Sequence, residues 1–268
     1  MANNNIRFEL SFKNICQLEK KLNFCKSNNI KNINVPCKGL IKKELFNKAI
    51  NFISKNFHEF NVTYHYSLYH QYSNNQRKSY QDFLDFVKNS NTNRNYEILL
   101  VSGSNKKKNF DTIEVLGNLK KEKDYKVKLG IAYNPYLNKY YNVSSERKRL
   151  ERKISSGLIN SIWFQYGTDI KVLKDEVTYL ENVAKDEKLK LFGSLFIPSK
   201  QFIARFKFRP WKEVHISEKC LYSLENFFDF TRDLVSFYKR NNIIPLIESD
   251  FSSSDKLYSV NCFLENKI

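Results

Sequence analysis

A chain of 268 residues that is 41% hydrophobic can bury a sizeable core, as one large α/β domain or two small ones, which excludes a disordered or fibrous protein. Its five cysteines (Cys16, Cys25, Cys37, Cys220, Cys262) show neither Cys-x-x-Cys spacing nor a disulfide framework, so neither a structural zinc site nor a stapled secreted scaffold is expected. The net charge of +17 attracts polyanions and small anionic ligands, but the lysines are spread over most helices among many asparagines, and no zinc-finger spacing, aromatic RNP strand or arginine-rich tail points to nucleic acid.

The opening Met-Ala-Asn-Asn-Asn-Ile lacks a charged-then-apolar leader pattern, and no apolar run approaches the ~18 residues of a membrane span. A cytoplasmic location with no membrane partner is therefore the expectation.

Residues 6–10 read as a first strand, followed by a helix over about 14–28. A second strand at 32–36, a helix near 41–54 and a third strand at 60–66 follow, and then a helix carrying Phe83, Phe86 and Val87. The fourth strand, 98–101, is apolar and ends in Ser102-Gly103-Ser104. After a helix near 111–121, the strand at 126–133 stops at Asn134-Pro135, and 144–156 is a charged helix opened by a capping serine. Gly157 is a helix stop, and the run from Ser161 to Asp169 supplies an apolar strand around Trp163 and Phe164, a polar tip at Gln165 and an aspartate that caps the helix over 170–186. A seventh strand at 190–197 precedes a short helix at 199–206. The longest helix spans 218–241, with Leu221, Leu224, Phe228, Leu234 and Tyr238 near helical spacing, before an eighth strand at 243–247 and a terminal helix.

Eight short apolar strands alternating with helices, undivided by any linker composition, predict an α/β chain: a single (β/α)₈ TIM barrel over residues 1–268. Such barrels carry their chemistry at the C-terminal strand ends. Position alone then selects Glu9, His65, Ser102 to Ser104, Tyr133, Gln165 and the segment after Pro198.

Several of these positions fall in motifs. Phe8-Glu9-Leu10 resembles FEF, Tyr64-His65-Tyr66-Ser67 resembles PHLT, and Ile131-Ala132-Tyr133-Asn134-Pro135 is similar to AYP. Glu146 and Lys153 stand before a turn at Gly157, Gln165-Tyr166-Gly167-Thr168-Asp169 resembles QFFFD, and Ile197-Pro198 is followed ten residues on by Phe208. In this order, over roughly residues 6 to 215, they resemble the methylenetetrahydrofolate reductase family in its short bacterial form. The resemblance implies that Glu9 is the catalytic acid and that Gln165, Phe208 and Ser104 meet the folate. It also implies that His65, Ser102, Gly103, Tyr133, Glu146 and Lys153 meet the cofactor.

The implied reaction reduces 5,10-methylenetetrahydrofolate to 5-methyltetrahydrofolate with hydride from NADH or NADPH, as in one-carbon metabolism and methionine biosynthesis. The family is a flavoprotein family, and here the departures matter. Where it has Arg-Gly-Asp, this chain has Ser102-Gly103-Ser104, losing an arginine for the flavin phosphate and a carboxylate for the pterin. Lys106-Lys107-Lys108 is a substitute source of phosphate charge, the proline pair after FEF is absent, and seven glycines are few for a barrel wrapped closely on a cofactor. FAD or FMN is therefore expected to bind weakly if at all. Two alternatives stay open: a non-catalytic barrel that binds folate, a partner subunit or nucleic acid, and a folate-dependent methyl transfer enzyme. Neither the oligomeric state, a homo-oligomer included, nor the choice of nucleotide follows from the sequence.

Overall fold

The computed structural model describes residues 6–37, 43–73, 75–90, 96–102, 110–122, 127–139, 143–185 and 187–265. Its elements are β1 (Arg7–Glu9), α1 (Ile15–Ser27), β2 (Asn32–Val35), α2 (Lys43–Asn56), β3 (Asn61–Ser67), α3 (Gln76–Ser90), β4 (Tyr96–Val101) and α4 (Thr112–Leu119). The chain continues through β5 (Lys128–Tyr133), a 3₁₀ turn at Pro135–Lys139, α5 (Val143–Ile154), β6 (Ile159–Phe164) and α6 (Ile170–Val183). It ends with β7 (Lys190–Leu195), α7 (Lys200–Phe208), α8 (Glu218–Tyr222), α9 (Leu224–Arg240), β8 (Ile243–Ile247) and α10 (Ser254–Glu265).

The eight strands close into a barrel in sequence order, which is the (β/α)₈ architecture expected from their alternation with helices. Neighbouring strands run parallel, with Phe8 opposite Ile33, Asn34 opposite Thr63, Thr63 opposite Glu97 and Phe192 opposite Ile244. By backbone proximity the chain forms two compact units: residues 1–132 with 151–161, and residues 133–150 with 162–268.

In the first unit, side chains alternate across each strand. Tyr64 and Tyr66 of β3 face the helices: Tyr64 meets Phe46 of α2 edge-on at 6.4 Å, and Tyr66 lies 5.0 Å from Phe83 and 4.8 Å from Phe86 of α3. Each buried ring contributes about 2 kcal/mol of apolar transfer free energy. The alternate residues, Asn61, Thr63, His65 and Ser67, consequently point to the barrel interior.

The second unit is held differently. A Cβ added to Gly193 of β7 would lie 2.3 Å from the ring of Tyr238 on α9, so that face of β7 touches its helix and only a glycine fits there. On the opposite face Phe192 stacks on Trp163 of β6, centroids 3.8 Å apart and planes 10° from parallel. Phe196, Phe202, Phe206, Trp211 and Phe227 form a further cluster under α7.

The continuous helix expected over 218–241 is two helices. Ser223 adopts an extended conformation (φ −136°, ψ 137°) and its hydroxyl accepts from the backbone N–H of Asn226, which ends α8 and caps α9. The short helix after Pro198 runs on to Phe208.

Candidate functional site

The strand β1 is three residues long, and its outer two, Arg7 and Glu9, share the inner face while Phe8 takes the other. Both charged side chains are buried, Glu9 at 5% exposure. Burial of two charges in one short strand requires partners, and the neighbouring strands of the same unit provide them.

Arg7 gives Nε–H to Asn34 Oδ1 at 2.6 Å and Nη2 to the carbonyls of Ile33 and Asn61 at 2.7 and 2.9 Å. Burial lowers its guanidinium to about 10, against the opposing pull of the Glu97 charge, so it stays cationic at neutral pH. Glu97 in turn accepts from the Ser161 hydroxyl. Asn34, fully buried on β2, places Nδ2 2.8 Å from His65 Nε2 on β3. The other ring nitrogen, Nδ1, faces Glu9 Oε2 at 3.9 Å, and Glu9 Oε1 accepts from Ser11 Oγ at 3.2 Å. Thus one polar chain, Arg7, Asn34, His65, Glu9, crosses three adjacent strands on their inner face. Thr63, on the same face, has a buried hydroxyl without a hydrogen-bond partner.

Of the residues singled out in the sequence, Glu9 and His65 are brought together. Ser102, just past β4, shares a 2.7 Å hydroxyl hydrogen bond with Thr112 of α4. Lys153 is buried, with Nζ 3.4 Å from the Ala132 carbonyl. Gly103, Ser104 and Lys106 to Lys108 lie outside the described residues.

In the second unit, Tyr133 closes β5 and gives its hydroxyl to Glu176 on α6. Arg147 of α5 grips the same carboxylate with two donors, Nη2 to Oε1 at 3.0 Å and Nε to Oε2 at 3.2 Å, and lies 4.3 Å over the Tyr179 ring. Burial, with the Glu176 carboxylate alongside, pushes the Tyr133 phenol well up, and the bond to Glu176 raises the Arg147 guanidinium. Glu146 pairs with Arg149 at 3.4 Å, one helical turn away. Gln165, one residue past β6, is half-buried, and its Oε1 accepts from the Tyr166 N–H at 3.1 Å. Phe208 is the last residue of α7 and stands 92% exposed. A cavity of about 450 Å³ is lined by Phe206, Pro210, Trp211, Lys212, Glu213, Val214 and Ile216, without Phe208. The segment that includes Glu213 and His215 is pinned to the loops after β5 and β6: Asn134 Nδ2 donates to the Glu213 carbonyl at 2.7 Å, and Thr168 N–H to the His215 carbonyl at 2.9 Å.

For a flavin, these residues supply little as they stand. The hydroxyls of Tyr133 and Ser102 already serve Glu176 and Thr112, and Ser102 brings no charge for a phosphate.

Four participants escape the motif reading: Arg7, Asn34, Arg147 and Glu176. A signal existed for three of them. Arg7 and Glu9 are two apart in a strand, Asn32-Ile33-Asn34-Val35 alternates polar and apolar, and both patterns mark a polar inner face. Glu176 sits at helical spacing with Leu173, Val177 and Leu180 on the buried face of α6. Nothing local separates Arg147 from its basic neighbours.

Among the described residues no helix is long and apolar enough to cross a membrane, and no group of three or more His, Cys, Asp or Glu side chains could hold a metal ion. No protein-family model and no curated protein matches the sequence. Solved structures do resemble it in fold. A protein from Clostridium thermocellum that binds two copies of 5-methyl-5,6,7,8-tetrahydrofolic acid superposes with a TM-score of 0.61 at 10% identity, over 98% of this chain and 94% of that one. Active domain 2 of a chitinase from Pyrococcus furiosus gives 0.55 at 11% identity, over 98% and 96%. The GH99 endo-alpha-mannosidase from Bacteroides thetaiotaomicron gives 0.53 at 10% identity, over 93% and 85%. At such identities the likeness is one of fold: the chain is a (β/α)₈ barrel of a kind shared by enzymes and by a folate-binding protein.

Proposed function

We propose that the chain binds a reduced folate and reduces 5,10-methylenetetrahydrofolate to 5-methyltetrahydrofolate, taking hydride from NADH or NADPH, as a divergent member of the methylenetetrahydrofolate reductase family. The observation that carries the reading is Glu9, a buried carboxyl group at the end of β1 with one oxygen toward His65 and the other toward Ser11. It stands where the sequence resemblance expects the catalytic acid. A barrel of similar fold binds the 5-methyl folate that would be the product, which supports folate as the ligand class.

The methylene bridge must open to an iminium ion before reduction, and the nitrogen that leaves needs a proton. A dehydrated carboxyl group held by hydrogen bonds is suited to supply it. Glu9 gives its proton to that nitrogen, the C–N bond breaks, and the hydride from the nicotinamide adds to the iminium carbon. One proton and one hydride account for the product. The resemblance gives Gln165 the role of hydrogen bonding with a folate and Phe208 that of stacking on it. The exposure of the Phe208 ring leaves its faces available for that contact.

Glu9→Gln tests the assignment. It keeps the shape and most hydrogen bonding but has no acidic proton, so folate-dependent oxidation of NADH or NADPH falls by about 10²-fold or more while folate binding by calorimetry persists. Turnover indifferent to Glu9→Gln removes the acid from this reaction. A second reading, a barrel that binds folate without turning it over, draws support from the committed hydroxyls of Tyr133 and Ser102. Wild-type protein that binds folate but oxidises neither nucleotide, with or without added FMN, decides for it.

A further inference from the structure

We infer that His65 is a positioning residue whose proton is fixed on Nδ1 by Asn34 and Arg7, and that it thereby directs the transferable proton of Glu9 to Oε1. The inference rests on the reading of Glu9 as the reacting carboxyl group. Its first step is a matter of donors and acceptors. A guanidinium has only donors, so the Asn34 atom at 2.6 Å from Arg7 Nε must be the amide oxygen. The NH₂ end of Asn34 then faces His65 Nε2 at 2.8 Å, and NH₂ also only donates. Nε2 is the acceptor, which leaves the ring proton of the neutral imidazole on Nδ1.

That nitrogen lies 3.9 Å from Glu9 Oε2. A carboxylic proton on Oε2 would confront it donor to donor, whereas Oε1 lies beside the Ser11 hydroxyl, which can donate or accept. When Glu9 holds the proton to be transferred, Oε1 is therefore the oxygen that bears it, with the exposed Ser11 hydroxyl turned to accept. When the proton departs, Ser11 turns to donate to Oε1, and the new carboxylate keeps a donor facing each oxygen. Arg7, cationic even when buried, keeps the Asn34 amide from flipping and so sets the order of the whole chain.

The test reads the tautomer directly. Long-range ¹H–¹⁵N correlation spectra of the ¹⁵N-labelled full chain near neutral pH resolve protonated from bare ring nitrogens, and His65→Gln identifies the signals of His65 among the four histidines by their loss. Wild type is expected to show His65 with the proton on Nδ1 and Nε2 bare. Asn34→Asp keeps the shape and the Arg7 partner but offers Nε2 only acceptors, so the proton moves to Nε2 or the ring becomes an imidazolium. In the same variant turnover falls roughly 10-fold or more while folate affinity holds, as loss of orientation without loss of binding requires. A wild-type proton on Nε2, or an unchanged pattern in Asn34→Asp, overturns the inference, as does a switched tautomer with undiminished turnover. Should Asn34→Asp not fold, the wild-type spectrum alone decides. Because that spectrum needs no ligand, a protein with Nδ1 protonated that binds no folate would sink the proposed function and leave the His65 geometry standing.

Discussion

The inner strand faces of the two units solve the same problem with opposite chemistry. In the first, β1, β2 and β3 turn Arg7, Asn34 and His65 inward and satisfy them with bonds of fixed direction. In the second, β6 and β7 turn Trp163 and Phe192 inward and press the rings together at 3.8 Å. Ring packing tolerates changes that conserve volume, while a buried polar network fails when one member loses its donor, because the orphaned partner keeps its full desolvation cost. The Glu9 carboxyl group sits in the directional half, where hydrogen bonds specify atoms and not merely volumes.

Truncation and conservative replacement should therefore rank differently in the two units. Trp163→Ala removes a buried ring and its stacking partner's contact, and is expected to cost about 3–5 kcal/mol in urea unfolding, whereas Trp163→Phe loses far less. Arg7→Met is expected to cost about 3 kcal/mol, because it strands the Asn34 oxygen and the carbonyls of Ile33 and Asn61. The sharper comparison is Arg7→Lys: a single ammonium cannot reproduce the fork to three acceptors, so the charge-conserving change should cost most of what Arg7→Met costs. If Arg7→Lys is as mild as Trp163→Phe, the distinction between the two faces is lost.

How far the sequence reveals this depends on whether a feature is local. The alternation of apolar runs with amphipathic helices is local, and it yields the eight strands and the barrel. Capping is local too. Ser223 carried the break between α8 and α9, yet the apolar spacing from Leu221 to Tyr238 runs through it and outweighed a single serine. The polar chain is not local: Arg7, Asn34 and His65 are 27 and 31 residues apart along the chain. Strand period tells which residues share a face, but neither which face meets the helices nor which side chains meet across strands. Tyr133 shows the consequence. Its place at the end of β5 is legible, while the direction of its hydroxyl, toward Glu176 on α6, is set by a contact 43 residues away.

That contact gives the next test, since it places a directional cluster in the otherwise ring-packed unit. Glu176→Gln retains an acceptor for Arg147 but loses the charge that both Arg147 and Tyr133 use. The expected loss is about 1–2 kcal/mol, less than for Arg7 because Arg147 is partly exposed and water can serve it. The Tyr133 phenol, now beside a neutral amide, should titrate lower in the variant, measured by ultraviolet difference absorption at alkaline pH.

The smallest effect belongs to the same bond types set in water. Asp250 accepts from Lys256 Nζ at 2.5 Å and from the Ser252 hydroxyl at 2.6 Å, with about half of both charged side chains exposed. These partners outweigh the opposing effect of its partial burial and hold its carboxyl down at about 2. A depressed carboxyl stabilises the fold above its unfolded value, near ~3.9, and that contribution is lost as pH falls through the folded value. Exposure and screening keep the pair under about 1 kcal/mol. Wild type and Asp250→Asn should then differ slightly in urea midpoint at neutral pH, and the difference should vanish between pH ~4 and ~2. Raising the salt to about 1 M should also erase it at neutral pH, because exposed charges are screened over ~3 Å there, while the cost of Arg7→Met persists. A salt-resistant loss at Asp250 equal to that at Arg7 would mean that the number of hydrogen bonds, and not their burial, sets the strength of such clusters in this protein.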